Sequence, residues 1–181
     1  MNPYELLSLP QRLVISEDEL REAFREAGKT AHPDAGGGEA EFAAIREAQA
    51  ILASPSKRLK LWLELRGLAA VPRGTIGNAL MDLFSEVGRV TQQAETLIRK
   101  RDEAKSVLVR AMLEGETQVC REAVEEAIAR VDAEIARECG VFPELETAET
   151  LDLEEISRIS RDLAFLEKWK AGLRACYARL V

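Results

Sequence analysis

The amino-acid sequence predicts an all-α protein in two parts. A group of short helices occupies residues 1–67, a linker residues 68–75, and an antiparallel three-helix bundle residues 76–181. Three observations carry that expectation. Only 5% of residues are aromatic, and long stretches are rich in Ala, Glu, Leu and Arg, the residues that lose least on entering a helix. Apolar residues recur at helical spacing on both sides of "LAAVPRGT", where Pro72 and Gly74 interrupt the pattern, and no segment alternates as a strand does. The balance of 46% apolar and 31% charged residues is that of a folded domain, without a disorder signature.

In the first part, a short helix over roughly residues 3–8 carries Tyr4 and Leu7, with Pro3 favourable in its first turn. The second helix opens at Ser16, and Glu19 completes a capping box. Its buried stripe is Leu20, Ala23, Phe24, Ala27 and Ala31. On the opposite side Arg21, Arg25 and Lys29 fall at i, i+4 and i+8, a strip of three cations interleaved with Glu22 and Glu26. A third helix spans about Glu39 to Ala53, with Phe42, Ile45, Ala48 (or Gln49) and Leu52 inward. Ser54 caps a fourth, with Pro55 at its first position. Lys57 and Arg58 sit in that first turn, where the helix dipole disfavours cations, so something beyond local helix stability should explain them.

The second part predicts longer helices. One runs from about 76 to 113 on Leu80, Leu83, Phe84, Val87, Val90, Ala94, Leu97, Ile98, Leu108 and Met112, and Gly115 breaks it. The next, about 117 to 138, uses Cys120, Val124, Ala127, Ile128, Val131 and Ile135, with Gly140 as its C-terminal cap. "VFPELETAET" then forms a loop. Asp152 and Glu155 frame the start of the last helix, with Ile156, Ile159, Leu163, Leu166, Leu173 and Leu180 inward. Three amphipathic helices joined by short turns bury their stripes as a bundle, the rival being a two-stranded coiled coil.

Composition excludes several functions. A net charge of −7 argues against nucleic acid, which needs a surplus of Lys and Arg. No apolar run approaches the roughly 20 residues of a membrane span, and "MNPYELLSLP" lacks the basic start and apolar core of a signal peptide. A cytoplasmic protein is expected. Cys120, Cys139 and Cys176 form no CxxC pair, so they read as small buried hydrophobes, and neither metal nor cofactor is expected.

The segment "KTAHPDAGGGEAEF" holds the single histidine, His32, followed by Pro33, Asp34 and three glycines. Catalysis would need a nucleophile or a pocket, and no nucleophile motif accompanies the pair. Two ligands do not make a metal site, and no GK[ST] follows the glycines. The remaining reading is a recognition turn. Pro33 disfavours helix at His32 and should end the second helix there. Asp34 then offers a carboxylate for bidentate pairing with an arginine on another protein, and the cationic strip steers an acidic surface toward it.

"PYELLSL", "LREAFREAGKTA", "HPD" and "FAAIREAQAILASPSKR", in that order over roughly residues 2–67, resemble a J-domain. The resemblance implies a co-chaperone, not an enzyme, that binds a DnaK-class heat-shock ATPase and stimulates its ATP hydrolysis. It assigns chaperone binding to His32, Pro33 and Asp34, with Arg21, Arg25 and Lys29. Lys57 and Arg58 match the family's basic pair, as structural or contacting residues.

The second part is similar to the HscB-type co-chaperones of iron–sulfur cluster assembly. "KRLKLWLELRG" resembles a segment of that family, "ALMDLF" its Leu-Met-x-x-Leu motif, and "DLAFLEKW" a Phe-Leu-Asp-Lys element of its last helix. This implies an HscA-class chaperone as partner and the iron–sulfur scaffold protein as client, held on Leu80, Met81, Phe84 and Phe165, with Trp169 one turn on. Ser85 and Gly88 stand where that family has acidic residues, and the glycine-rich loop is more like generic J-proteins. The alternative is therefore a J-domain protein with a different client or a dimerising helical domain, and no iron–sulfur role.

Overall fold

A computed structural model describes residues 2–31, 38–69 and 79–181. Among them are eight helices and no strand: α1 Pro3–Leu6, α2 Glu17–Ala31, α3 Glu39–Ala53, α4 Pro55–Glu64, α5 Ala79–Glu103, α6 Val107–Cys139, α7 Phe142–Thr147 and α8 Leu153–Leu180. The chain divides into two compact units. One is Met1–Gly74 with Cys139–Arg161, the other Thr75–Glu138 with Asp162–Val181.

Helix starts follow local chemistry. Asn2 Oδ1 accepts from the Tyr4 and Glu5 amides at 3.0 and 3.1 Å, and Glu5 accepts from the Asn2 amide, closing a capping box. Ser16 Oγ caps α2 through the Glu19 amide at 3.1 Å, but the Glu19 carboxylate pairs with Arg12, so the predicted box is not the reciprocal one. Ser54 Oγ accepts from the Lys57 amide at the start of α4. Its end is a Schellman turn: Gly67, at φ +69°, donates to Glu64 O, and Leu68 donates to Leu63 O, both at 3.0 Å. In the first unit Tyr4, Leu7, Leu20, Ala31, Ile45, Ala48 and Leu52 make the core, as the helical spacing predicts.

Residues 139–161, which the sequence places in the bundle, return to the first unit. The stretch read as a loop contains α7, with Phe142 buried and Pro143 in the first turn, where its missing N–H costs nothing. Gly140 is not the left-handed cap expected of it, since Gly67 is the one described glycine with positive φ. Glu146 on α7 accepts from the amides of Leu13 and Val14, the latter at 3.0 Å.

The second unit is a three-helix bundle, with Val87, Ala94, Ile98, Val124, Ala127, Val131, Leu166 and Leu173 in one core. Arg179 meets Asp102 at 3.0 Å, and Arg101 donates to Leu180 O at 3.0 Å, so α5 and α8 run the same way. Tyr177 Oη donates to Glu125 at 2.5 Å and Lys170 pairs with Asp132, so α6 runs against both. A two-stranded coiled coil is thereby ruled out for this unit.

The sequence places the first break at Gly115; the structure places it at residues 104–106. Ser106 Oγ caps α6 by accepting from the Val109 amide at 3.1 Å, and Arg110 Nε donates back to Ala104 O at 3.0 Å. Gly115 stays helical, because a single glycine costs only about 1 kcal/mol in a helix of this length. The shift of register turns Leu108 and Met112 away from the core, 71% and 73% exposed, instead of into it.

Candidate functional site

The first candidate surface is the outer face of α2. Arg21, Arg25 and Lys29 are exposed along it, as their spacing predicts. They do not form a bare cationic strip. Arg21 Nη1 lies 3.0 Å from Asp18 Oδ1, Lys29 Nζ lies 2.6 Å from Glu26 Oε1, and Arg25 pairs with Glu22. Each cation thus meets the carboxylate three residues before it. The Lys29 hydrogen bond holds the Glu26 carboxyl below its usual range, and the Glu22 hydrogen bond raises Arg25. Exposed pairs of this kind contribute little to stability and exchange partners readily. His32, Pro33 and Asp34 lie outside the described residues, between the end of α2 at Ala31 and Gly38, which precedes α3.

The basic pair on α4 separates. Lys57 is exposed. Arg58, placed by the sequence in the chaperone-binding set, is instead buried at 8% exposure, so direct contact with a partner is not its role here. Its Nη1 donates to Leu52 O at 2.6 Å, in the last turn of α3, and its head lies 5.9 Å from the Phe142 ring centre. The negative end of the α3 dipole and an unpaired carbonyl favour the cation there, which offsets its unfavourable place in the first turn of α4. Sequence reasoning did not find Phe142 or Glu146, because their partners are more than eighty positions away and no local period marks them.

The second surface is an aromatic cluster on α5 and α8. Phe84 and Trp169 have ring centres 5.6 Å apart, and Phe165 and Trp169 6.3 Å, both tilted. Met81 and Phe84 are each 51% exposed and Phe165 38%, while Trp169 is half-buried against the core. Leu80, grouped with them by the sequence, is buried at 1% and supports the patch from beneath. Exposed apolar groups clustered on adjoining helices are a general feature of interaction surfaces. Ser85 and Gly88, on the same helix, are exposed and uncharged.

Cys120 and Cys176 stand in the bundle core, where burial pushes both thiols up, and Cys139 is half-buried. Among the described residues no group of His, Cys, Asp or Glu could hold a metal ion, and no helix is long and apolar enough to cross a membrane.

Short helices around an α2–α3 pair, followed by a helical bundle, define a class, and comparison with known proteins agrees. Residues 2–61 match the family described as DnaJ domain. Chaperone HscB from Vibrio cholerae superposes with a TM-score of 0.57 over 100% of both chains, at 20% identity, a likeness of fold alone. Chaperone protein DnaJ 2 from Nocardia farcinica is 41% identical over 78 residues, 39% of this chain and 20% of that protein. Chaperone protein dnaJ A6 from Oryza sativa subsp. japonica is 40% identical over 55 residues, 30% and 13% of the respective chains. The chain thus spans a fifth or less of the length of these relatives.

Proposed function

We propose that this protein is a J-domain co-chaperone that binds a DnaK/HscA-class heat-shock ATPase, stimulates its ATP hydrolysis and brings it a client. The observation that carries this is the DnaJ-domain match over residues 2–61, which includes His32, Pro33 and Asp34 and the exposed cations of α2. Asp34 pairs with an arginine of the ATPase, while Arg21, Arg25 and Lys29 exchange their carboxylates for acids on its surface. Lys57, exposed at the start of α4, is a further contact. The protein acts by binding and carries no chemistry of its own. Single-turnover ATP hydrolysis by a DnaK-class chaperone tests this. Asp34→Asn should abolish stimulation with the helical circular dichroism unchanged, and equal stimulation by the mutant would sink the reading.

The client site is the patch of Met81, Phe84, Phe165 and Trp169, and the client is the iron–sulfur scaffold protein. The HscB-like fold and the exposed aromatic rings support this. A specific observation favours a second reading, a J-domain protein with another client: the uncharged Ser85 and Gly88 leave the patch without the acidic rim expected of HscB-type proteins. Pull-down with a scaffold protein separates the two. Binding that is lost in Met81→Ala and Phe165→Ala supports the scaffold, and no binding by the wild type supports the other client.

A further inference from the structure

Helix α6 is apolar on two sides. Cys120, Val124, Ala127 and Val131 face the bundle core, whereas Leu108, Met112 and Val119 stand outside it, 71%, 73% and 67% exposed. With Gly115 these three occupy i, i+4, i+7 and i+11. That alternation of four and three is the seam into which a second helix packs. Gly115 is itself informative. A Cβ there would meet nothing within 4 Å, so nothing inside the chain requires a glycine that costs about 1 kcal/mol in a helix interior. The stripe borders a groove of about 770 Å³ between α5 and α6, whose α5 side carries Arg89, Gln93 and Lys100.

The geometry points to a second copy of this chain as the occupant, its α6 lying antiparallel to the first about a two-fold axis between Leu113 and Glu114. A two-fold contact requires that residue i of one copy meet residue j of the other, and j meet i. About this midpoint Met112 stands level with Gly115 of the second copy, and Leu108 with Val119. The longest, most adaptable side chain of the seam meets its one gap, and two branched side chains meet each other. In the same register Lys105, exposed just ahead of α6, comes level with Glu122, exposed and accepting from Gln118 Nε2 at 2.8 Å. Lys100 forms no ion pair among the described residues, and the second copy brings its exposed Glu116, level with Ala111, toward the Lys100 end of that wall, beside the chain's own Glu116. Shape and charge therefore agree in a single register. The aromatic patch belongs to the α5–α8 side of the unit, so this surface is separate from the proposed client site.

Sedimentation velocity on the full chain over a concentration series tests the proposal. The wild type should double in mass as concentration rises through the micromolar range, and Met112→Glu should remain a monomer with its circular dichroism unchanged. Lys105→Glu and Glu122→Lys should each weaken the dimer several-fold, and the two together should restore it. A wild type that stays monomeric throughout, or a Met112→Glu variant that dimerises equally well, overturns the second copy as occupant. Single charge reversals without effect, or a double reversal without rescue, overturn the register.

Discussion

The guanidinium of Arg58 donates to the carbonyl of Leu52 at 2.6 Å, joining the start of α4 to the end of α3. The same head group lies over the ring of Phe142, on a helix the sequence reads as a loop. Arg58→Ala should destabilise the first unit by about 2–3 kcal/mol, since it strands a buried carbonyl that a charged donor satisfied. Urea unfolding followed by circular dichroism measures it. Arg58→Lys should recover only part, because an ammonium lacks the planar fork that reaches the carbonyl and stacks on the ring together.

Glu146 accepts from two consecutive amides, those of Leu13 and Val14. Glu146→Ala should leave both without that acceptor and cost about 1–2 kcal/mol. Hydrogen exchange localises the effect. The Leu13 and Val14 amides should exchange faster, while those of the α6 core turns should not change.

Leu80 and Phe84 lie one turn apart on α5, yet one is buried and the other half in solvent. Leu80→Ala should cost about 2–5 kcal/mol of stability, the range for emptying a core site. Phe84→Ala should cost much less and instead reduce client binding. Thermal unfolding set beside a binding isotherm for each variant separates the two, and a client affinity unmoved by Phe84→Ala would remove that residue from the site.

Charge reversal on α2 should act on association. Arg25→Glu should slow binding to the ATPase and reduce the salt dependence of the on-rate, while unfolding midpoints move little, because the Arg25–Glu22 pair is exposed. Stopped-flow association at several ionic strengths is the measurement.

The two tyrosines should titrate abnormally high. Burial, the largest cause, pushes Tyr4 up to about 12, and the hydrogen bond to Glu125 raises Tyr177. For Tyr4 the folded-state value lies above the unfolded value of 10.0, so its contribution is complete below pH 10.0 and declines as pH rises toward 12. Alkaline titration by tyrosinate absorbance, with circular dichroism alongside, should show loss of structure within that window.

The sequence by itself determined what repeats locally. Helical periods and the caps at Ser16, Ser54 and Asp152 were legible because their partners lie within four residues. The cations of α2 were legible too, since spacing alone places them on one exposed strip. Tertiary structure decided the rest. That each of those cations meets a carboxylate depends on rotamers, and that Arg58 turns inward depends on where α3 ends. The break at residues 104–106 rests on Ser106 and Arg110 satisfying the helix ends, a signal weaker than the glycine nine residues on. Moving that break rotated Leu108 and Met112 out of the core, because every residue added to a helix turns the next side chain by about 100°. Which apolar residues of α6 became core and which became surface was settled by packing, where a period alone allows both.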